Sequence, residues 1–196
     1  ITDCPAVSYL GFSDWWMDGE NGGYPDSSIK DPDFVDRWAN RTGMANLRIT
    51  LGSQWGVMPS YLYSWKRDPT TAVLSLFNID KPDQLYKGSW KVAGLDYNFG
   101  VDEADCVFMP FWDVRKPVKV TPDEKDVLAS SWKRPGRARI HVANFADVEK
   151  QVNIRLDTKE LGIPENAVAT DEQTGDPVDM WGGEAVVTVA RHNYRV

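Results

Sequence analysis

The stretch that decides the fold is ARIHVANFADVEKQVNIRL, residues 138–156. In its second half Val152, Ile154 and Leu156 alternate with Gln151, Asn153 and Arg155. A strand with period two and one apolar face is half buried in an antiparallel sheet. In its first half Ala138, Ile140 and Val142 alternate with Arg139 and His141, which predicts a second such strand with Arg139 and His141 facing outward. The turn from Asn144 to Val148 lies between them, so the two strands are expected to form a hairpin.

Working outward, the same pattern continues to both sides. Asp126 to Trp132 reads as a strand, closed by the turn Arg134-Pro135-Gly136. Asp157 to Gly162 reads as one helical turn ending at glycine. Asn166 to Thr170, Ala185 to Ala190 and Asn193 to Val196 supply further strands, with a tight turn at Thr174-Gly175-Asp176-Pro177. Five to seven short strands in this span predict an antiparallel β-sandwich.

Upstream the composition changes. The chain has 9 Trp, 7 Tyr and 7 Phe, and all but Trp132, Phe145, Trp181 and Tyr194 precede Val114. The density drops near Lys116-Pro117, which places a boundary there, with one domain over 1–115 and a sandwich over 116–196. The first part mixes element types. Val7 to Phe12 and Leu47 to Leu51 read as strands, and Asp31-Pro32 and Asp68-Pro69 as helix starts of N-cap plus proline. Strand, helix, strand, helix means α/β. Two strands are too few for a closed barrel, so this part reads as the end of a larger one.

A net charge of −7 argues against nucleic acid, whose binders carry basic patches, and against an anionic membrane surface. No apolar run reaches the roughly 18 residues of a membrane helix. The two cysteines, Cys4 and Cys106, are too few for a structural zinc site; they are either one disulfide or two buried thiols. Asp102, Glu103 and Asp105 lack the spacing of a calcium loop and read as a hydrated acidic turn, so no metal is expected. Neither a nucleophile elbow nor a phosphate or dinucleotide fingerprint is present, and no cofactor is implied.

The best candidate site is the loop after Val7–Phe12. Asp14, Asp18 and Glu20 stand there beside Trp15 and Trp16, with Tyr24 at its end. Glycoside hydrolysis needs two carboxyl groups flanking the scissile bond, and aromatic faces stack on sugar rings. The bland reading is a solvated acidic loop with tryptophans in a core. Trp55, Tyr61, Tyr63 and Trp65 form a second aromatic stripe, for which core packing is the commoner fate.

Three stretches carry a resemblance. IHVANFADVEKQVNIRLDTKELGI followed by ATDEQTGDPV resembles the C-terminal β-sandwich of large bacterial glycoside hydrolases. FGVDEADCVFMPFWD is similar to the junction where such chains leave a TIM barrel for the sandwich. WWMDGENGG, with RWANRTGMANLRITLGSQWG, looks like late barrel segments with a Gly-Glu pair. The resemblance implies an α/β partial TIM-barrel end followed by an all-β antiparallel sandwich, in an extracellular or periplasmic protein acting on carbohydrate. It implies Glu20 and Asp18 as catalytic carboxylates, with Asp14, Trp15, Trp16 and Tyr24 binding sugar. It also implies a Cys4–Cys106 disulfide, and a partner in the remainder of the barrel or another chain. The rival is a non-enzymatic carbohydrate-binding module or a subunit of an extracellular assembly. A second carboxylate about 5–10 Å from Glu20 or Asp18 across an open cleft separates the two.

Overall fold

A computed structural model describes residues 15–18, 58–61, 76, 99–101, 103–122, 125–191 and 193–196. The chain forms two compact units, Ile1–Gly94 and Leu95–Val196.

In the first unit, β1 (Trp15–Asp18) pairs with β2 (Met58–Tyr61). The pair is parallel, with Trp15 opposite Met58 and Asp18 opposite Tyr61. Parallel strands cannot be joined by a tight turn and belong to folds with crossover connections. The tract expected as a loop is therefore a strand from Trp15 to Asp18; adjacent tryptophans suit a pleated surface better than a turn. Leu76 is fully buried. The expected strands at Val7–Phe12 and Leu47–Leu51 and the two helix starts lie outside the described residues.

The second unit is built of two four-stranded sheets. One has the order β12-β6-β5-β3, from β12 (Asn193–Arg195), β6 (Arg137–Asn144), β5 (Val127–Arg134) and β3 (Val107–Met109). The other runs β10-β11-β7-β4, from β10 (Met180–Trp181), β11 (Glu184–Val189), β7 (Lys150–Leu156) and β4 (Val118–Thr121). A two-stranded ribbon pairs β8 (Ala169–Thr170) with β9 (Pro177–Val178). All strand pairs among the described residues of this unit are antiparallel.

The register of β7 is the expected one. Val152 and Ile154 are buried and Leu156 half-buried, while on the other face Gln151 and Arg155 are exposed and Asn153 is half-buried. They meet Val142, Val127 and Ala129 from the facing sheet, with Ala185 and Val189 of β11 beside them. This apolar layer is the core that holds the sheets together.

Two expectations need correction. First, β6 and β7 are not a hairpin: β6 pairs with β5 and β12, whereas β7 pairs with β4 and β11. Residues 145–149 carry the chain from one sheet to the other. Alternation reveals which residues share a face, not which strand lies alongside. The true hairpin is β5–β6, turned by Pro135-Gly136, where Gly136 takes φ +77° as a type II turn requires.

Second, Arg139 and His141 do leave the inner face, but they are buried at 3% and 0% exposure. The outer face of their sheet is covered by aromatic side chains. Phe108 and Trp132 lie 4.7 Å apart between ring centroids, and Trp132 and His141 4.5 Å. The guanidiniums of Arg137 and Arg139 lie 5.0 and 5.1 Å from the Phe99 ring centroid. A large aromatic on a neighbouring segment hides a polar face that strand alternation would leave in water.

The single turn α1 (Thr158–Leu161) is capped at both ends. Asp157 Oδ1 accepts from Glu160 N at 2.9 Å, and Gly162 closes it at φ 69°. Leu161, fully buried, anchors it.

Candidate functional site

The backbone of β1 carries Trp15, Trp16 and Asp18 of the expected site. Asp18 is the last residue of its strand and stands opposite Tyr61, the last of β2. The carboxyl ends of parallel strands are where α/β folds place their ligands. The parallel register thus brings Asp18 level with one member of the second aromatic stripe, a pairing that spacing along the chain did not reveal. Asp14, Glu20, Tyr24 and Cys4 lie outside the described residues, as do Trp55, Tyr63 and Trp65.

In the second unit a cleft of about 590 Å³ opens between the two sheets. Its walls are Ile140 of β6 against Ile154, Leu156 and Val187, with Val178 and Met180 at one side. That volume and lining fall in the range of small-molecule sites. Two ion pairs stand at its polar end. Arg139 donates to Glu172 Oε2 through Nε at 2.9 Å and Nη2 at 2.6 Å, and Arg195 reaches Asp171 Oδ2 at 3.3 Å. Asp171 also shapes its own loop: Oδ1 accepts from Gln173 N at 2.8 Å, and its carbonyl accepts from Gly175 N at 2.7 Å. With both acids held by arginines, the cleft can take up apolar groups but presents no unengaged carboxyl pair for acid–base work. Neither Arg139–Glu172 nor Arg195–Asp171 was legible in the sequence, because each pair joins residues distant in the chain.

The segment before β4 is pinned to the sandwich by charge. The Phe99 carbonyl accepts from Arg134 Nη1 at 3.0 Å and Arg137 Nη2 at 2.9 Å. Arg134 also donates to Asp105 at 2.7 Å, and Asp105 and Glu103 are exposed, as an acidic turn requires. The Arg115 guanidinium hydrogen-bonded to Asp113 holds that carboxyl below the usual carboxylate range, and Arg115 is raised in turn. Arg115 continues to Glu160 Oε1 at 3.0 Å, and Lys133 donates to the Glu160 carbonyl at 2.7 Å. Cys106 is half-buried just before β3. Among the described residues no group of three His, Cys, Asp or Glu is placed to hold a metal.

Residues 87–174 match the family model of glycoside hydrolase 123, C-terminal domain. The match runs from upstream of Phe99 through β3–β8 to the Asp171 loop, so the C-terminal portion of this chain is glycoside-hydrolase-like. Comparison with curated proteins finds no match. Among solved structures, a noncanonic maltogenic alpha-amylase, AmyB from Thermotoga neapolitana, is similar at 11% identity and a TM-score of 0.47. That similarity covers 93% of this chain and 53% of the amylase, so the chain spans about half of that structure's length.

Proposed function

We propose that this chain is part of an extracellular or periplasmic glycoside-hydrolase-like protein acting on carbohydrate. The observation that carries the reading is the family match over residues 87–174. In this reading the first unit is the end of a TIM barrel, which the parallel pairing of β1 and β2 supports. The sandwich is its non-catalytic accessory domain.

Glu20 and Asp18 act as the carboxyl groups of glycosidic cleavage. One protonates the leaving oxygen, and the other serves as nucleophile or activates water. Asp14, Trp15, Trp16 and Tyr24 hold the sugar by hydrogen bonds and stacking. Cys4 and Cys106 form a disulfide, in keeping with an oxidising compartment. Catalytic groups of such barrels come from several strands, so the remainder of the barrel, or another chain, completes the site.

The chain alone is therefore expected to bind oligosaccharide weakly and to turn it over little or not at all. A glycosidase assay and a binding titration on the chain, beside Glu20→Gln and Trp15→Ala, test this. Robust turnover that survives Glu20→Gln would defeat the site assignment.

A further inference from the structure

The outer faces of the two sandwich sheets differ sharply. One is sealed by aromatics, whereas the other, on β10-β11-β7-β4, lies open. Across the open face runs a cross-strand rung in register: Trp181 opposite Glu184, Glu184 opposite Arg155, and Arg155 opposite Lys119. Beside it lies a second rung, Val186 opposite Asn153 opposite Thr121.

Trp181 is 90% exposed, and Val186 is 59% exposed. A tryptophan side chain offers the largest apolar area of any residue, and its flat ring is suited to stacking on a partner. Its position is fixed rather than accidental. Trp181 and Glu184 close a two-residue hairpin whose centre is Gly182 and Gly183, at φ 57° and 78°. Positive φ at both central residues is the requirement of a type I′ turn, the turn that matches strand twist. A Cβ on Gly183 would lie 3.0 Å from the Leu156 carbonyl oxygen, so the hairpin is seated directly against β7.

We propose that this open face binds a neutral oligosaccharide, with Trp181 stacking on a ring and the exposed side chains of Glu184, Arg155, Lys119 and Thr121 meeting hydroxyls. The proposal rests on the carbohydrate reading above and adds a second, non-catalytic surface to it. Charge supports this occupant over a charged one. The chain carries a net charge of −7, yet the face is balanced. Arg155 and Lys119 are set against Glu184 and the exposed Asp179, and Arg155 pairs with Glu184 at 3.6 Å. A polyanion would want an excess of cations, and a basic partner an excess of acids. A balanced field of hydrogen-bonding groups beside an apolar plate complements a neutral polyol. Strands are spaced ~4.8 Å apart, so β10 to β4 spans about 14 Å, enough for about three sugar rings.

The test is calorimetric titration of the full chain with maltohexaose, cellohexaose, chitohexaose and xylohexaose. It is repeated on Trp181→Ala, Trp181→Phe and Trp15→Ala, with thermal melts to confirm folding. At least one hexaose is expected to bind the wild type. Trp181→Ala should weaken that binding about tenfold or more, the scale of losing an aromatic anchor. Trp181→Phe should restore part of it, and raised salt should leave it nearly unchanged. Binding lost in Trp15→Ala but untouched by Trp181→Ala overturns this surface while leaving the proposed function standing. No binding of any hexaose overturns both. Trp181→Ala converting a dimer to a monomer, without any hexaose binding, assigns the face to self-association and overturns the proposal.

Discussion

Asn144 is a single residue that makes a corner. It is fully buried at the end of β6, where the chain leaves one sheet for the other. Its Nδ2 donates to the carbonyls of Val148, Val189 and Ala190 at 2.9, 3.0 and 3.2 Å, and its Oδ1 accepts from Ala146 N at 2.9 Å. One amide thus satisfies backbone groups from two segments, the connection after β6 and the end of β11. Asn144→Ala takes this partner from the buried Val189 carbonyl and Ala146 amide, which costs about 1–3 kcal/mol for a group left unsatisfied. Urea unfolding should show the midpoint falling with an unchanged slope, and an unchanged midpoint would refute the staple. Asp113 makes a second prediction at this scale. Its folded carboxyl titrates below the unfolded one, because Arg115 favours the charged form. The stabilisation is therefore present above the unfolded pKa and lost as pH falls through the folded pKa. Asp113→Asn should lower stability at neutral pH by about 1 kcal/mol or less, since Arg115 is 45% exposed. The variant and wild type should converge in acid, and denaturation midpoints measured across the pH range check the sign.

At the scale of elements, legibility followed the strength of the local pattern. The alternation of Val152, Ile154 and Leu156 fixed the face of β7, and Asp157 with Gly162 fixed both ends of α1. What the sequence did not disclose was pairing across distance. Nothing in residues 138–156 says that β6 and β7 part company at Asn144. The three-residue β3 and the two-residue β9 and β10 are too short to show any period. In the candidate site, the composition of residues 14–20 was legible. That Trp15–Asp18 is a strand, and that Asp18 stands opposite Tyr61, needed the parallel register. Two substitutions probe these elements. Ile154→Ala should cost about 2–5 kcal/mol, nearer the lower figure because Ile154 also lines the cleft, whose open side lets the gap rehydrate. Gly100→Ala should destabilise too: Gly100 sits at φ 80°, and a Cβ there would run into the Arg134 guanidinium and lie 2.9 Å from Glu103 Cγ. Melting curves of both variants measure the two costs.

For the whole molecule, the question is where an independently folding piece begins. Composition changes near Lys116, but β3 lies upstream of it and completes a sheet by pairing with β5. Phe108 on β3 covers Trp132, and the Phe99 carbonyl binds Arg134 and Arg137. A fragment starting at residue 116 would leave the β5 edge unpaired, uncover the Trp132 ring and strip the two arginines of their acceptor. Exposed strand edges with apolar faces template aggregation. A fragment from Leu95 to Val196 keeps all of these contacts. We therefore expect residues 95–196 to be soluble, with one cooperative unfolding transition. Residues 116–196 should aggregate, or melt well below the longer piece. Expressing both and comparing their sedimentation and thermal unfolding decides the matter. Equal solubility and equal melting temperatures would show that the segment from Leu95 to Arg115 rests on the sandwich without helping to build it.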